Sequence, residues 1–89
     1  MTMTDRQIET WVTAMGAPSI EWAANDLAAI ARELDEASTR LARAHDLTAK
    51  AGDDELRAYA DTAHTAAWRL ADGLADVASG LTRAAEEGR

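Results

Sequence analysis

Residues 53–87 read DDELRAYADTAHTAAWRLADGLADVASGLTRAAEE, and this stretch decides the fold. Its apolar residues follow a seven-residue repeat without a break. One column holds Leu56, Ala63, Leu70, Val77 and Ala84, and a second holds Ala60, Ala67, Leu74 and Leu81. An unbroken repeat of this length is typical of a helix that packs against other helices. We therefore predict a helix over residues 54–87 with its apolar seam against a neighbour.

A second long helix is indicated directly before it, over residues 19–50. Its apolar columns hold Ile20, Leu27, Leu34 and Leu41, and Ala23, Ile30, Ala37 and Ala44. Ser19 is a favourable N-cap, Gly52 is a favourable terminator, and Asp53 or Asp54 can cap the next helix. The short connection predicts an antiparallel hairpin in which Leu41 lies near Ala63 and His64.

The chain opens with the signature of a third, shorter helix. The segment from Thr4 to Gln7 matches a capping box, in which Thr and Gln each satisfy a backbone amide of the other residue. Ile8, Trp11, Val12 and Met15 follow on one face. Gly16 and Pro18 then stop the helix. We predict a helix over residues 5–15 that folds back onto the hairpin.

These segments predict an all-α fold: a single domain, residues 1–89, with a short N-terminal helix packed on a long antiparallel helical hairpin. A chain of this size buries only about 60% of the surface that its unfolded form exposes. The apolar area that its side chains can bury is also small, because 22 of the 89 residues are alanine and none is phenylalanine. Small residues line both sides of the third helix, including Ala66, Gly73 and Gly80. We therefore expect dimerisation to complete a four-helix-type bundle.

The net charge of the chain limits the kinds of molecule that it can be expected to bind. The 16 acidic and 9 basic residues give a net charge of −7, which disfavours nucleic acid and anionic membranes and favours a protein partner. The longest uncharged run, near Trp11–Ile20, is too short to span a bilayer. The chain has no cysteine, and residues 1–5 lack the features of a secretory signal. We predict a cytoplasmic protein, with secretion without a cleavable signal peptide as the alternative.

Catalytic and metal-binding patterns are weak. His45 and His64 each have an aspartate nearby, at Asp46 and Asp61. A metal site needs convergent ligands, but no helix carries a Glu-x-x-His or His-x-x-x-His pair. The chain also lacks a glycine-rich phosphate loop and any nucleophile with an adjacent base. We predict no enzymatic activity, no metal and no cofactor.

The strongest candidate for a binding site is centred on Trp68, which lies outside the apolar seam. An exposed tryptophan beside alanine-rich flanks is typical of a contact surface. We hypothesise that six residues form a surface that binds another chain: Trp68, Tyr59, His64, His45, Ser38 and Ala42. The alternative is a lone surface tryptophan that lies on its own helix.

Residues 19–87, as an alanine-rich and lysine-poor helical hairpin, resemble the small proteins exported by type VII secretion systems, which pair as antiparallel four-helix assemblies. The hairpin turn reads Ala51-Gly52-Asp53-Asp54 where that family has Trp-x-Gly. Tyr59 is followed four residues later by Ala63, where the family's export pattern has Asp or Glu. The resemblance is therefore one of architecture and transfers no functional residue.

The function predicted from these features is that of a small acidic helical protein-protein interaction module. It would act as an adaptor, regulator or assembly component and bind another protein, a second copy of itself, or both. Two alternatives remain open. One is a secreted type VII-like helical-hairpin protein, and the other is an acidic inhibitor or antitoxin-like protein that masks a basic partner surface.

Overall fold

Three α-helices and no β-strand make up residues 2–88, the part of the chain that the computed structural model describes. Helix α1 spans Asp5–Ala14, α2 spans Ile20–Ala51, and α3 spans Asp54–Glu87. The predicted all-α class is confirmed, and the predicted helix ends differ from the observed ones by one residue at most. Helix α2 packs on α3 as a hairpin, as the sequence predicted.

The helix ends follow the local sequence. At the start of α1, Thr4 Oγ1 accepts a hydrogen bond from the Gln7 amide at 3.2 Å, and Gln7 Oε1 accepts one from the Thr4 amide at 2.9 Å. This reciprocal pair is the predicted capping box. Gly16 and Gly52 adopt φ angles of 62° and 74°, the left-handed region that favours glycine after a helix. These residues end α1 and α2.

The next two helices are capped at their starts as well. Ser19 Oγ accepts a hydrogen bond from the Trp22 amide at 3.1 Å. Asp53 Oδ1 accepts one from the Leu56 amide at 3.0 Å. Each cap satisfies one of the backbone amides that a helix N-terminus leaves without an intrahelical partner.

Contacts divide the chain into two compact units. Unit 1 contains the residues up to Ile30 together with those from Gly73 onward, and unit 2 contains residues 31–72. The core of unit 1 is formed by Ala23, Ala24, Leu27, Ala78 and Leu81. Three residues of α1, Ile8, Trp11 and Val12, pack against it together with the C-cap residue Met15. The predicted apolar face of α1, including Trp11, therefore lies on the hairpin.

In unit 2 the two helices meet through small side chains. The buried residues there are Ala31, Ser38, Ala60, Ala67 and Ala71. Ser38 Oγ lies 3.0 Å from His64 Nδ1, which places the hairpin within one helical turn of the register predicted for Leu41 and His64. Alanine and serine add little hydrophobic area but let two helix backbones approach closely.

Gly73 offers a direct test of helix propensity in α3. A Cβ added at this exposed position meets no atom within 4 Å. Because glycine inside a helix costs about 0.5–1 kcal/mol relative to alanine, we expect Gly73→Ala to raise the free energy of unfolding by that amount. Urea denaturation followed by circular dichroism measures the change. Gly52→Ala is the control and should lower stability, because alanine is strained at a φ of 74°; equal effects of both substitutions would contradict this explanation.

Candidate protein-binding surface

Most of the large apolar side chains that remain exposed lie in unit 2. They are Leu47, Leu56, Tyr59, Trp68 and Leu70, each more than half exposed. Isolated surface leucines are common in proteins, but several large apolar residues on one helix face are not. The arrangement of these residues on α3 therefore decides whether they form a surface.

Five residues of α3 form a continuous apolar stripe. They are Leu56, Tyr59, Ala63, Ala66 and Leu70. Their spacing alternates between three and four residues, so they lie on one face of the helix. The exposed fractions are 54% for Leu56, 69% for Tyr59 and 56% for Leu70. We call this set the apolar stripe.

The stripe is exposed because α3 uses a neighbouring face to contact α2. That contact face includes Ala60, Ala67 and Ala71, all of which are buried. The sequence analysis placed Leu56 and Leu70 in the seam of the hairpin, and this assignment is wrong for unit 2. Alanine brings the helices close together, and the leucine column is left on the side of the pair.

The same column of α3 is covered in unit 1. Val77 lies seven residues after Leu70 and packs against the core of unit 1, which also holds the apolar side chains of α1. In unit 2, by contrast, Leu56 and Leu70 of this column are each more than half exposed. The large side chains that the stripe takes from this column are therefore exposed ones.

Two of the predicted site residues, Ser38 and His64, contact each other. Ser38 is buried, with 4% of its surface exposed, and His64 is half-buried. His64 Nδ1 lies 3.0 Å from both Ser38 Oγ and the Ser38 carbonyl oxygen. Because a carbonyl oxygen can only accept, this geometry assigns the ring proton to Nδ1. Ser38 Oγ also donates to the His64 carbonyl oxygen over a long 3.5 Å. The pair joins α2 to α3.

The other four predicted residues are more accessible but do not share one face. His45 and Ala42 are half-buried on α2, and His45 Nδ1 lies 3.6 Å from an Asp46 carboxylate oxygen. Trp68 is 54% exposed on α3. Tyr59 and Trp68 are nine residues apart, which is two and a half helical turns, so they project from opposite sides of α3. No single flat partner can contact both.

An open cleft of about 560 Å³ lies in unit 1. Its lining is formed by Met3, Asp5, Ile8, Glu9, Val12, Ile20, Ala84, Glu87 and Gly88. Of these described residues, Asp5, Glu9 and Glu87 carry carboxylates, and none is a histidine, a serine or a basic residue. Among the described residues of this lining, no nucleophile is paired with a base.

Metal ligands and membrane-spanning helices are two further features that bear on the kind of site. Within residues 2–88, no three His, Cys, Asp or Glu side chains lie close enough together to hold a metal ion. None of the helices in this range combines the length and the apolar character needed to cross a membrane.

Comparison with known proteins gives no match that bears on this surface. No protein-family model matches the chain, and neither the curated proteins nor the solved structures yield a significant match.

Proposed function

We propose that this protein is a small helical protein-protein interaction module, not an enzyme, and that it associates through the apolar stripe of α3. The observation that carries the proposal is the exposure of Leu56, Tyr59 and Leu70 on one helix face. Covering such a face with another helix removes apolar surface from water, at roughly 25 cal/mol per Å². A partner helix laid along the stripe supplies that cover.

The shape of the stripe supports helix packing as the mode of binding. Leu56 and Leu70 stand at its two ends, and Ala63 and Ala66 lie between them. Small central residues allow a second helix to approach closely, while the large residues at the ends provide contact area. Tyr59 adds a rigid aromatic side chain with a polar tip, a residue type that is enriched at the centres of protein interfaces.

The partner that we propose is a second copy of the chain. Two copies of unit 2, each contributing α2 and α3, form a four-helix bundle when their stripes face each other. The net charge of −7 opposes this association through long-range repulsion, so the dimer should tighten as salt is added. In the cell the same module would act as an adaptor, a regulator or an assembly component.

Substitutions on the two sides of α3 test which face binds. We expect the double variant Tyr59→Ser/Leu70→Ser to elute with the mass of one chain in size-exclusion chromatography with light scattering. The unmodified protein should elute with the mass of two. The reason is that both substitutions remove apolar area from the stripe without touching the buried face of α3.

Trp68→Ala is the matched control, because Trp68 is as exposed as Leu56 but projects from the opposite side of α3. It should keep the mass of two chains. If Trp68→Ala separates the copies while the double variant does not, the surface first predicted around Trp68 is the interface. The proposal for the stripe is then wrong.

A further inference from the structure

We propose that α3 pairs with α3 of a second copy in antiparallel orientation, with the two-fold axis beside Thr62 and Ala63. The pairing rests on the proposed function above, because it requires the apolar stripe to be an interface. The pairing adds to that proposal the relative direction and the register of the two helices, which dimerisation alone does not specify.

The sizes of the stripe residues are symmetric about this axis. Leu56, Ala63 and Leu70 follow each other at intervals of seven, so the order large, small, large is the same when the helix is reversed. Antiparallel pairing about Ala63 therefore places Leu56 opposite the partner's Leu70. Ala63 lies at the axis, where the backbones must come closest. Tyr59 then lies beside the partner's Ala66, whose small side chain leaves room for the phenol ring.

The charges beside the stripe select the antiparallel direction, with which the symmetric order of sizes is compatible. Glu55, Thr62 and Arg69 form the adjacent column of α3, and all three are exposed. Reversing the helix about Thr62 brings Glu55 next to the partner's Arg69, and the two-fold axis repeats this ion pair once. In a parallel pair this column would lie on opposite sides of the interface in the two copies, so Glu55 and Arg69 would not meet. The two ion pairs are therefore available only to the antiparallel orientation.

Glu55 and Arg69 are available for these contacts. The ion pairs among the described residues of unit 2 join Arg57 to Asp54 and His45 to Asp46. Neither of them uses Glu55 or Arg69. No hydrogen bond of either side chain to another described residue competes for it. Their charges are therefore open to a partner.

Cysteine cross-linking tests the register, and the chain has no native cysteine to interfere. Ala63→Cys should form a disulfide-linked dimer under mild oxidation, because the two copies of this residue meet at the axis. Gly73→Cys is the control. At 1.5 Å per residue, a position ten residues from the axis is about 30 Å from its symmetry mate, so it should stay unlinked. Circular dichroism checks that both variants remain helical.

A charge-reversal cycle tests the ion pairs. We expect Glu55→Arg alone, and Arg69→Glu alone, each to weaken the dimer about tenfold, since each turns two attractive contacts into repulsive ones. The double variant should recover the affinity of the unmodified chain. Sedimentation equilibrium gives the three dissociation constants. Recovery in the double variant supports the antiparallel register, and additive losses overturn it.

The outcomes separate this register from the proposed function. If the native protein is a dimer that Tyr59→Ser/Leu70→Ser dissociates, but Ala63→Cys does not cross-link, the register is wrong and the interaction surface stands. If Gly73→Cys cross-links as efficiently as Ala63→Cys, the antiparallel register about Ala63 is again wrong. If the stripe variant leaves a dimer intact, both proposals fail.

Discussion

Replacing Leu81 with alanine is expected to lower the free energy of unfolding by about 2–5 kcal/mol. Leu81 is the largest fully buried side chain, with 0% of its surface exposed, and it joins Leu27 and three alanines in the core of unit 1. Removing three carbons there costs their transfer energy and leaves a cavity. Because a domain of this size is only marginally stable, the variant should be largely unfolded at physiological temperature.

Leu47→Ala is the matched control for this substitution. Leu47 is 62% exposed on α2, and alanine is at least as favourable in a helix, so the free energy of unfolding should change by less than about 0.5 kcal/mol. Urea denaturation followed by circular dichroism measures both variants. Equal losses for Leu81→Ala and Leu47→Ala would show that the core of unit 1 does not govern stability.

A second large effect is expected when a buried alanine is enlarged. Ala23 is 0% exposed and lies in the same core cluster as Leu27 and Leu81. A leucine at this position has no space, so the helices of unit 1 must move apart or strain their side chains. We expect Ala23→Leu to cost about 1–3 kcal/mol.

Ala75→Leu is the control for added volume. Ala75 is exposed on α3, so the same three carbons extend into solvent and stability should change by less than about 0.5 kcal/mol. Thermal melting at equal protein concentration compares the two variants. A native-like melting temperature for Ala23→Leu would mean that close packing through alanine does not hold unit 1 together.

The helices and their ends could be predicted because their signals are local. The capping box at Thr4 and Gln7, and the glycines at positions 16 and 52, each act through backbone groups a few residues away. Such signals do not depend on the tertiary structure. The helix bounds read from the sequence are accordingly within one residue of those observed.

The faces of α3 were harder to assign, because a repeat shows which residues align and not which column meets the neighbour. Leu56 and Leu70 looked like seam residues since they are large and regularly spaced. The helices instead meet through Ala60, Ala67 and Ala71, where small side chains permit a closer approach. The sequence analysis had also placed Ala60 and Ala67 in the seam, in its second column, and their burial agrees with that assignment.

The candidate site was predictable only in part. The exposure of Trp68 and Tyr59 agrees with a surface position, but nine residues separate them, and 100° per residue places them on opposite sides of the helix. That separation could have been read from the sequence. The contact between Ser38 and His64 could not, because it depends on the exact register of the hairpin.

The role proposed for the chain follows from the small size of the side chains between its two long helices. Alanine lets α2 and α3 pack closely but uses few of the large apolar residues. The larger side chains of unit 2 are therefore left outside the hairpin, at Leu56, Tyr59 and Leu70. In the dimer that we propose, a second copy would convert this exposed face into the core of a bundle.

Sedimentation equilibrium of the unmodified chain tests this central claim most directly. Over concentrations from about 1 μM to about 1 mM, we predict a rise from the mass of one chain, 9.5 kDa, to twice that value. A mass of 9.5 kDa at every concentration would contradict the claim that the stripe joins two copies.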